Sequence, residues 1–458
     1  MKGQRHLTIV IKLGSSSIVH EKTHEPLLSI LSLIVETAVK LIKDGHRVVI
    51  VSSGAIAVGL RRMNVEKRPK SLPRTQALAA VGQCQLMSLW ASLFAHLQQP
   101  VAQILLTRND IADRTQYRNA QNTFTELLTM GVIPIVNEND TLAVSEIRQL
   151  EKFGDNDTLS AITAVMVHAD YLFLMTDVDC LYDKNPRTHS DAQAIDIVED
   201  VASLEADVSS AGSALGTGGM STKIVAARLA TSAGVTTVIT RSSCPGNIAN
   251  IINYVQAQEQ AQHSKVASLP ATPGEEMSLS DSVSTLCMDA VSPPPLHTRF
   301  LPDPFPIRDR SFWLLHGLAA HGTLFIDKGA HRALSAKAGL LPAGIVGIEG
   351  QFLAQEAVKL VVVGKRENLT DSPSRLYENG VNATGGGALI DGPTGEVGRA
   401  LVNYSSAEIL RIKGMQSTEI GSVLGYADTE YVAFRENISL TKKERGSRPG
   451  TPAPTVNA

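Results

Sequence analysis

Cysteine is scarce in this sequence, and its spacing excludes two kinds of structure. The chain has 458 residues and four cysteines, Cys84, Cys180, Cys244 and Cys287. None of them lies in a CxxC or CxxH pattern, which argues against a disulfide framework and against a zinc site. Isolated cysteines are typical of a reducing compartment, so we expect a cytoplasmic protein.

The sequence also lacks an excess of charge and any long apolar run. Lysine and arginine number 42 against 45 aspartate and glutamate residues, which leaves a formal net charge of −3. Bulk electrostatics therefore gives no reason to expect a nucleic-acid or membrane partner. The run Leu7–Leu13 is interrupted by Lys12 and is too short for a signal peptide. No other run approaches the ~18 residues of a membrane span.

Several familiar motifs are absent as well. No GxxxxGK[ST] P-loop occurs, no serine–histidine or cysteine–histidine arrangement stands out, and the twelve histidines form no metal-like cluster. We therefore predict no metal site built from protein side chains. The missing general base is informative if the phosphoryl acceptor is a carboxylate, because a pKa of ~4 leaves that group ionised at neutral pH.

Short β-branched runs alternate with helical patterns from residue 7 to about 240. The runs are Leu7–Leu13, Arg47–Ser52, Val101–Leu106, Val132–Asn137, Tyr171–Thr176 and Val235–Thr240, with helical patterns near 27–44, 75–98, 116–130, 157–168 and 221–233. Continuous apolar strands alternating with helices predict an α/β fold, with a mostly parallel sheet covered by helices on both faces.

Polar residues follow several of these strands. They are Lys12 to Ser17, Ser52 to Ala55, Asn137 to Asp140 and Thr176 to Asp179, and Gly154 to Asp157 precedes a helix. Each group alone is typical of turns and helix caps. Ligands of parallel sheets bind beyond the carboxyl ends of the strands, so the groups together predict a binding site.

A glycine-rich segment, Gly216 to Lys223, precedes the helical pattern at 221–233. It suits a phosphate, because glycine backbone N–H groups and a helix N-terminus bind anions. A flexible loop before an ordinary helix is the plainer alternative. With Lys12 it suits a polyphosphate and phosphoryl transfer, while Ser53, Asp140 and Asn156 suit a small zwitterion.

Longer segments carry a family resemblance. They are VIKLGSSS at 10–17, VIVSSGAIAVG at 49–59, LAAVGQCQLM at 78–87, IPIVNEND at 133–140, FGDNDTLSA at 153–161 and GTGGMSTK at 216–223. With them the chain resembles the amino acid kinase family, and within it the glutamate 5-kinase branch with a C-terminal PUA domain. The variant segment TDVDCLY at 176–182 and the long linker resemble those of the fungal members.

The resemblance implies ATP-dependent phosphorylation of the γ-carboxylate of L-glutamate, the first step of proline synthesis, with proline as inhibitor and Mg²⁺ bridging the ATP phosphates. Lys12 and Lys223 would stabilise the transferring phosphoryl group, held by Asp157. The residues that bind the substrate L-glutamate would be Ser53, Asp140 and Asn156, with Asn137 and Asp155 nearby. The residues that bind ATP would be Lys12, Gly14, Thr176, Asp177, Thr217, Gly218, Gly219, Met220, Ser221, Thr222 and Lys223.

The resemblance and the composition together divide the chain. We predict a catalytic domain at 1–262, a proline-rich linker at 263–310, a small β-rich PUA-like barrel at 311–439 and a disordered tail at 440–458. PUA domains commonly bind RNA, but the balance of acidic and basic residues from 309 to 440 favours a structural or regulatory role. We also expect a homo-oligomer and handover of the product to a glutamyl phosphate reductase.

Two alternatives stay open at this point. A sister kinase could act on N-acetylglutamate or aspartate, although an N-acetylated acid offers no ammonium group for Asp140. An inactive kinase fold could serve as an RNA-associated binding protein. The retention of Lys12, Asp157 and Lys223 argues against inactivity, because a cluster of buried charge is costly to keep.

Overall fold

The computed structural model describes residues 6–142, 156–184, 186, 188–189, 191–201, 204, 219–267, 294–363, 395–426 and 429–441, with residues 259–267 by their backbone alone. The chain divides into two compact units, Met1–Ile307 and Arg308–Ala458.

The first unit is built on an eight-stranded sheet. Its strands are β1 Thr8–Leu13, β2 Arg47–Ser52, β3 Val101–Leu106, β4 Ile133–Glu138, β5 Tyr171–Thr176, β8 Ile197–Val198, β9 Thr236–Arg241 and β10 Thr298–Phe300, while β6 Leu181–Tyr182 and β7 Ala194–Ile195 form a separate pair. The sheet order is β3-β4-β2-β1-β5-β9-β10-β8. Every pair from β3 to β9 is parallel, which confirms the prediction of a mostly parallel sheet.

Helices connect these strands. They are α1 Ser15–Ile18, α2 Leu28–Lys43, α3 Ala55–Arg62, α4 Leu72–Ala95, α5 Arg108–Ala112, α6 Arg114–Thr129, α7 Asn156–Met166, α8 Met220–Ser232 and α9 Asn247–Ala267. All five predicted helical segments are present, each within three residues of its expected bounds. The sequence did not predict α3, because it is short and carries Gly59 in its interior, where glycine disfavours a helix.

Glycine is required where α3 and α4 meet. A Cβ on Gly82 would lie 1.7 Å from the carbonyl oxygen of Ala55, and one on Gly59 would lie 2.0 Å from that of Leu78. The two helix backbones are therefore in contact. Gly54, just before α3, has a φ of +100° that other residues rarely adopt. Together these glycines fix the turn that holds Ser53.

Within the described part of the chain, α4 is the one helix that is long and apolar enough, by length and composition alone, to cross a membrane. A single helix of this kind is weak evidence for a span. Its contact with α3 in the first unit accounts for part of its apolar surface.

One segment of the predicted linker belongs to the sheet. Residues 298–300 form β10, which pairs antiparallel with β9 and parallel with β8. Thr298 anchors it: its Oγ1 accepts a hydrogen bond from the Leu181 N–H at 2.7 Å and donates one to the Ile195 carbonyl at 2.6 Å. A three-residue strand beside several prolines gives too short a pattern to be recognised in the sequence, so the linker prediction was wrong for these residues.

The second unit contains a five-stranded sheet in the order β12-β11-β13-β14-β15. The strands are β11 Ala320–Ile326, β12 Ile345–Gly350, β13 Ala357–Val362, β14 Glu396–Leu401 and β15 Ile438–Leu440. The helices are α10 Asp309–Phe312, α11 Lys328–Ser335, α12 Ser406–Ile412 and α13 Ile420–Leu424, with a π-helix at Trp313–Gly317 and 3₁₀ turns at Pro342–Gly344, Ser417–Glu419 and Arg435–Asn437. The prediction of a β-rich second domain is confirmed. Residues 442–458, most of the predicted tail, lie outside the described residues.

Candidate active site

Four neighbouring strands end at one edge of the large sheet. β4, β2, β1 and β5 are adjacent and parallel. In their register Leu13 of β1 lies beside Ser52 of β2 and Met175 of β5. Lys12, Ser53, Asn137 and Thr176 therefore come from distant parts of the sequence to the same edge, as expected for a parallel sheet.

Lys12, Asp157 and Lys223 form a buried cluster, here called the lysine–aspartate cluster. Lys12 Nζ contacts Asp157 Oδ1, and Lys223 Nζ lies 3.3 Å from Asp157 Oδ2. The exposed fractions of the three residues are 3%, 0% and 7%. Strand β1 contributes Lys12, while Asp157 and Lys223 lie in the first turns of α7 and α8. The two predicted ion pairs are both present in the structure.

The electrostatics of Asp157 follow from its surroundings. Burial alone would raise the pKa of its carboxyl group, but Lys12 and Lys223, with hydrogen bonds from Lys12 and Thr222, hold that pKa well below its usual range. Thr222 Oγ1 lies 2.7 Å from Asp157 Oδ2. With one anion against two cations, the cluster carries a formal charge of +1 and attracts a further anion.

A second cluster adjoins the first and carries no charge. Asn156 Nδ2 donates to Ser53 Oγ at 2.8 Å and to Asn137 Oδ1 at 3.1 Å. Asn137 Nδ2 donates to Gln83 Oε1 of α4 at 2.8 Å. Ser53 and Asn137 are buried, with exposed fractions of 8% and 3%. We call Ser53, Asn156, Asn137 and Gln83 the amide–hydroxyl cluster.

Asp140 lies beside a cleft of about 510 Å³ between α4, β3 and residues 138–141. Gln83 lines the same cleft, so the far end of the amide–hydroxyl cluster opens onto it. Asp140 is half-buried. The cleft wall formed by α4 is mainly alanine and methionine, and its rim at 138–141 is polar.

The described candidate nucleotide residues lie after β1, at the end of β5 and at the start of α8. A Cβ on Gly14 would lie 3.9 Å from Lys12 Nζ. Thr176 is buried at the end of β5 and its Oγ1 donates to Asp177 Oδ1 at 3.2 Å. Gly219 immediately precedes α8, while Met220 and Ser221 lie in its first turn. Asp155, Thr217 and Gly218 lie outside the described residues.

No group of three or more histidine, cysteine, aspartate or glutamate side chains that could hold a metal ion occurs in the described part of the chain. Both carboxylate oxygens of Asp157 already contact lysine ammonium groups. This donor set fits Mg²⁺ that reaches a site with a nucleotide and is held mainly by phosphate oxygens and water, as that ion prefers.

Sequence reasoning missed three contacts of this region. Gln83 looked like an ordinary polar residue of a helix, although it lies in the matched segment LAAVGQCQLM. Thr222 was expected to contact ATP, whereas its hydroxyl lies on Asp157 and on the Gly219 carbonyl at 2.8 Å. The salt bridge between Arg241 and Asp179, at 2.7 Å, links the ends of β9 and β5. The sequence signal available for Arg241 and Asp179 was that each follows a predicted strand.

Known proteins match both units. Residues 7–241 match the amino acid kinase family, and residues 322–424 match the PUA domain.

Full-length relatives extend the match. A probable glutamate 5-kinase of Schizosaccharomyces pombe is 52% identical over 94% of this chain and 92% of its own length. An uncharacterized protein of Saccharomyces cerevisiae is 45% identical over 94% of this chain and 98% of its own. A glutamate 5-kinase of a Cyanothece strain is 42% identical over 95% and 99%. The chain therefore belongs to the amino acid kinase family, in its glutamate 5-kinase branch, and carries a PUA domain.

Proposed function

We propose that this protein transfers the γ-phosphoryl group of ATP to the γ-carboxylate of L-glutamate, giving L-glutamyl 5-phosphate and ADP, as the first step of proline synthesis. The observation that carries the proposal is the pair of buried lysines, Lys12 and Lys223, held on one aspartate beside an uncharged amide–hydroxyl cluster. One cluster suits a polyphosphate and the other suits an amino acid.

The reaction needs positioning and charge neutralisation. An oxygen of the γ-carboxylate attacks the γ-phosphorus, a new P–O bond forms, and the bond to the bridging oxygen breaks with its electron pair leaving on ADP. The acceptor is already ionised at neutral pH, so no side chain has to remove a proton. Negative charge spreads over the equatorial oxygens in the transition state, and Lys12 and Lys223 offset it.

Asp157 acts through the lysines and does not touch the substrate. Its two oxygens each contact one ammonium group, so it fixes their separation. Its carboxyl stays ionised because the pKa is lowered, which keeps both ion pairs intact throughout the neutral pH range.

Glutamate would be held by the amide–hydroxyl cluster and by Asp140. The Ser53 hydroxyl suits the α-carboxylate, while the Asp140 carboxylate and the Asn156 amide oxygen suit the α-ammonium group. Asp155 would complete this pocket. Asn137 and Asn156 lie within hydrogen-bonding distance of each other, which supports their assignment to one pocket.

ATP would lie against Lys12, Gly14, Thr176, Asp177 and the segment from Thr217 to Lys223. The start of α8 offers backbone N–H groups and the positive end of a helix dipole to the phosphates. Mg²⁺ bound with ATP would supply further charge neutralisation, coordinated chiefly by phosphate oxygens and water.

The test is to incubate the purified protein with Mg-ATP, L-glutamate and hydroxylamine, which traps an acyl phosphate as a hydroxamate. We expect product with L-glutamate and little with N-acetylglutamate or aspartate, since N-acetylglutamate offers no ammonium group and aspartate carries its carboxylate one methylene short. Equal or faster turnover of N-acetylglutamate would assign the chain to a sister reaction. The absence of turnover with all three acids would favour a binding protein built on a kinase fold.

Proline is the expected inhibitor, competing with glutamate in the region from Asn137 to Asp157. Proline shares the α-carboxylate and a positively charged amine, so Ser53, Asp140 and Asn156 could bind it although it has no γ-carboxylate to phosphorylate. The proline concentration for half-inhibition should rise with glutamate concentration, and Asp155→Asn should weaken inhibition more than turnover. A half-inhibition concentration that does not change with glutamate concentration would place the inhibitor elsewhere.

The wider assembly is also part of the proposal. Acyl phosphates hydrolyse readily, so direct handover to a glutamyl phosphate reductase would protect the product. We also propose a homo-oligomer, and a cytoplasmic site of action is supported by the unpaired cysteines Cys84, Cys180 and Cys244. The PUA domain would serve a structural or regulatory role, and RNA binding by it can be measured directly by filter retention.

A further inference from the structure

The Glu138 N–H identifies the direction of the hydrogen bonds in the amide–hydroxyl cluster. The Glu138 N–H can only donate, and it donates to Asn137 Oδ1 at 2.9 Å. This contact identifies which end of the Asn137 amide is oxygen. The other end, Nδ2, therefore faces Gln83, which must accept through Oε1 at 2.8 Å.

The same logic continues to Asn156. Its neighbour Asn137 Oδ1 is an acceptor, so Asn156 presents Nδ2 to it at 3.1 Å and uses the second amide hydrogen on Ser53 Oγ at 2.8 Å. Asn156 Oδ1 is left buried and without a hydrogen-bond partner among the described residues. Ser53 Oγ accepts from Asn156, so its own hydroxyl proton is free to donate.

The cluster thus presents one acceptor, Asn156 Oδ1, and one donor, the Ser53 hydroxyl. An α-amino acid presents the complementary pair, because its ammonium group donates and its carboxylate accepts. If the Asn137 amide were reversed, Asn156 would have to turn as well, and a nitrogen would replace the acceptor. The orientation of the buried Asn137 amide therefore decides whether the site offers an acceptor to a free ammonium group.

We propose that Gln83 is a positioning residue that, together with the Glu138 N–H, holds the Asn137 amide in this orientation and thereby sets the preference of the site for a substrate with a free α-ammonium group. The proposal rests on the proposed function. Gln83 acts from α4, whose backbone contact with α3 also fixes the turn holding Ser53. Both ends of the cluster are therefore positioned by α4: its contact with α3 through Gly59 and Gly82 positions Ser53, and Gln83 contacts Asn137.

The test compares L-glutamate with glutarate, which has both carboxylates but no ammonium group. Gln83→Met keeps the length of the side chain and removes the acceptor. We expect the KM for L-glutamate to rise about five- to tenfold, the scale of one lost hydrogen bond, while the KM for glutarate and the kcat for L-glutamate change less than twofold.

Gln83→Glu keeps an acceptor of the same shape, so it should retain or increase the preference for L-glutamate. Gln85→Met is the matched control, because Gln85 is an exposed glutamine on the same helix and should behave as wild type. Direct calorimetric titration of both acids checks the result without turnover. If Gln83→Met does not fold, Gln83→Ser is measured in its place.

The outcomes separate this proposal from the proposed function. Failure of the wild-type protein to form hydroxamate from L-glutamate contradicts the function itself. Turnover by the wild type, with equal losses for L-glutamate and glutarate in Gln83→Met, assigns Gln83 a merely structural role. An unchanged preference in Gln83→Met, or a loss in Gln83→Glu as large as in Gln83→Met, overturns the positioning role alone.

Discussion

The lysine–aspartate cluster and the amide–hydroxyl cluster lie side by side but work by opposite means. In the first, charge matters: two cations and one anion are held almost out of contact with water. In the second, no group is charged, and only the sense of each hydrogen bond distinguishes one arrangement from another. We expect the first to be sensitive to loss of charge and the second to exchange of donor for acceptor.

The largest effect should come from Asp157→Asn, which keeps the volume and removes the anion between the two lysines. We expect kcat to fall ~1,000-fold, beyond the loss of a single electrostatic donor, and the free energy of unfolding to fall by ~3 kcal/mol, as when one partner of a buried pair is removed. Steady-state kinetics and urea unfolding measure the two.

The matched control is Asp191→Asn, which removes an exposed carboxylate paired with Lys184 at 2.9 Å. It should leave both quantities at wild-type values, because exposed ion pairs contribute little. Equal effects of the two substitutions would mean that burial of the first cluster has no energetic consequence.

The pH dependence of the free energy of unfolding tests the Asp157 carboxylate independently of catalysis. The pKa of Asp157 is lowered in the folded state, so its contribution to stability is complete above the unfolded pKa of ~4 and is lost as the pH falls below it. The difference in unfolding free energy between wild type and Asp157→Asn should therefore be constant from pH 7 to 5 and shrink below pH ~4. A difference that grows in acid would contradict the assigned ion pairs.

Lys223→Ala should lower kcat ~100-fold, on the scale of one preorganised electrostatic donor. Saturating ATP and glutamate should not restore the rate, because the charge acts mainly in the transition state. Lys40→Ala, on the exposed face of α2, is the control. Recovery of the wild-type rate at high ATP would make Lys223 a ground-state binder.

Asn156→Asp tests the amide–hydroxyl cluster, because it adds a negative charge and removes a hydrogen-bond donor. Two acceptors would then face each other at Asn137 Oδ1, while the Ser53 hydroxyl would have to turn and donate to the new carboxylate. We expect the KM for L-glutamate to rise at least ~10-fold, with a smaller change in the KM for ATP. Asn137→Asp should be milder, since its Oδ1 still accepts from Asn156 and from the Glu138 N–H.

The smallest effect should come from Thr222→Val, which removes the hydroxyl beside Asp157 and keeps the shape. A positioning role predicts a fall in kcat of about fivefold, the scale of one hydrogen bond, with an unchanged KM for ATP. Thr222→Ser retains the hydroxyl and should stay close to wild type. A rise in the KM for ATP alone would make Thr222 a contact of the nucleotide and not a positioning residue for Asp157.

The regular parts of the fold could be predicted from the sequence because their residues repeat a simple pattern. β5 is an uninterrupted apolar run, and its predicted bounds, Tyr171–Thr176, are those observed. β10 could not be predicted, since three residues give no period and the strand is anchored by Thr298, a contact across more than a hundred residues.

The candidate site divides in the same way. Lys12 and Lys223 could be proposed from the sequence, because a lysine in an apolar strand and a lysine at the end of a glycine-rich segment are conspicuous, and the role of Asp157 followed from the family resemblance. Gln83 could not, because a glutamine in a helix is ordinary until the fold places its oxygen 2.8 Å from Asn137 Nδ2. Charge leaves a trace in composition, whereas hydrogen-bond direction arises only with tertiary structure.

Asn156 and Asp157 are consecutive residues, and each serves a different cluster. One peptide unit, with Cα atoms about 3.8 Å apart, therefore joins the proposed amino-acid pocket to the lysines that we propose for phosphoryl transfer. We therefore expect a shift of Asn156 on substrate binding to be transmitted to Asp157 and the two ammonium groups. The free energies of binding the two substrates are then coupled, and coupling is reciprocal: glutamate should strengthen ATP binding by the same factor by which ATP strengthens glutamate binding.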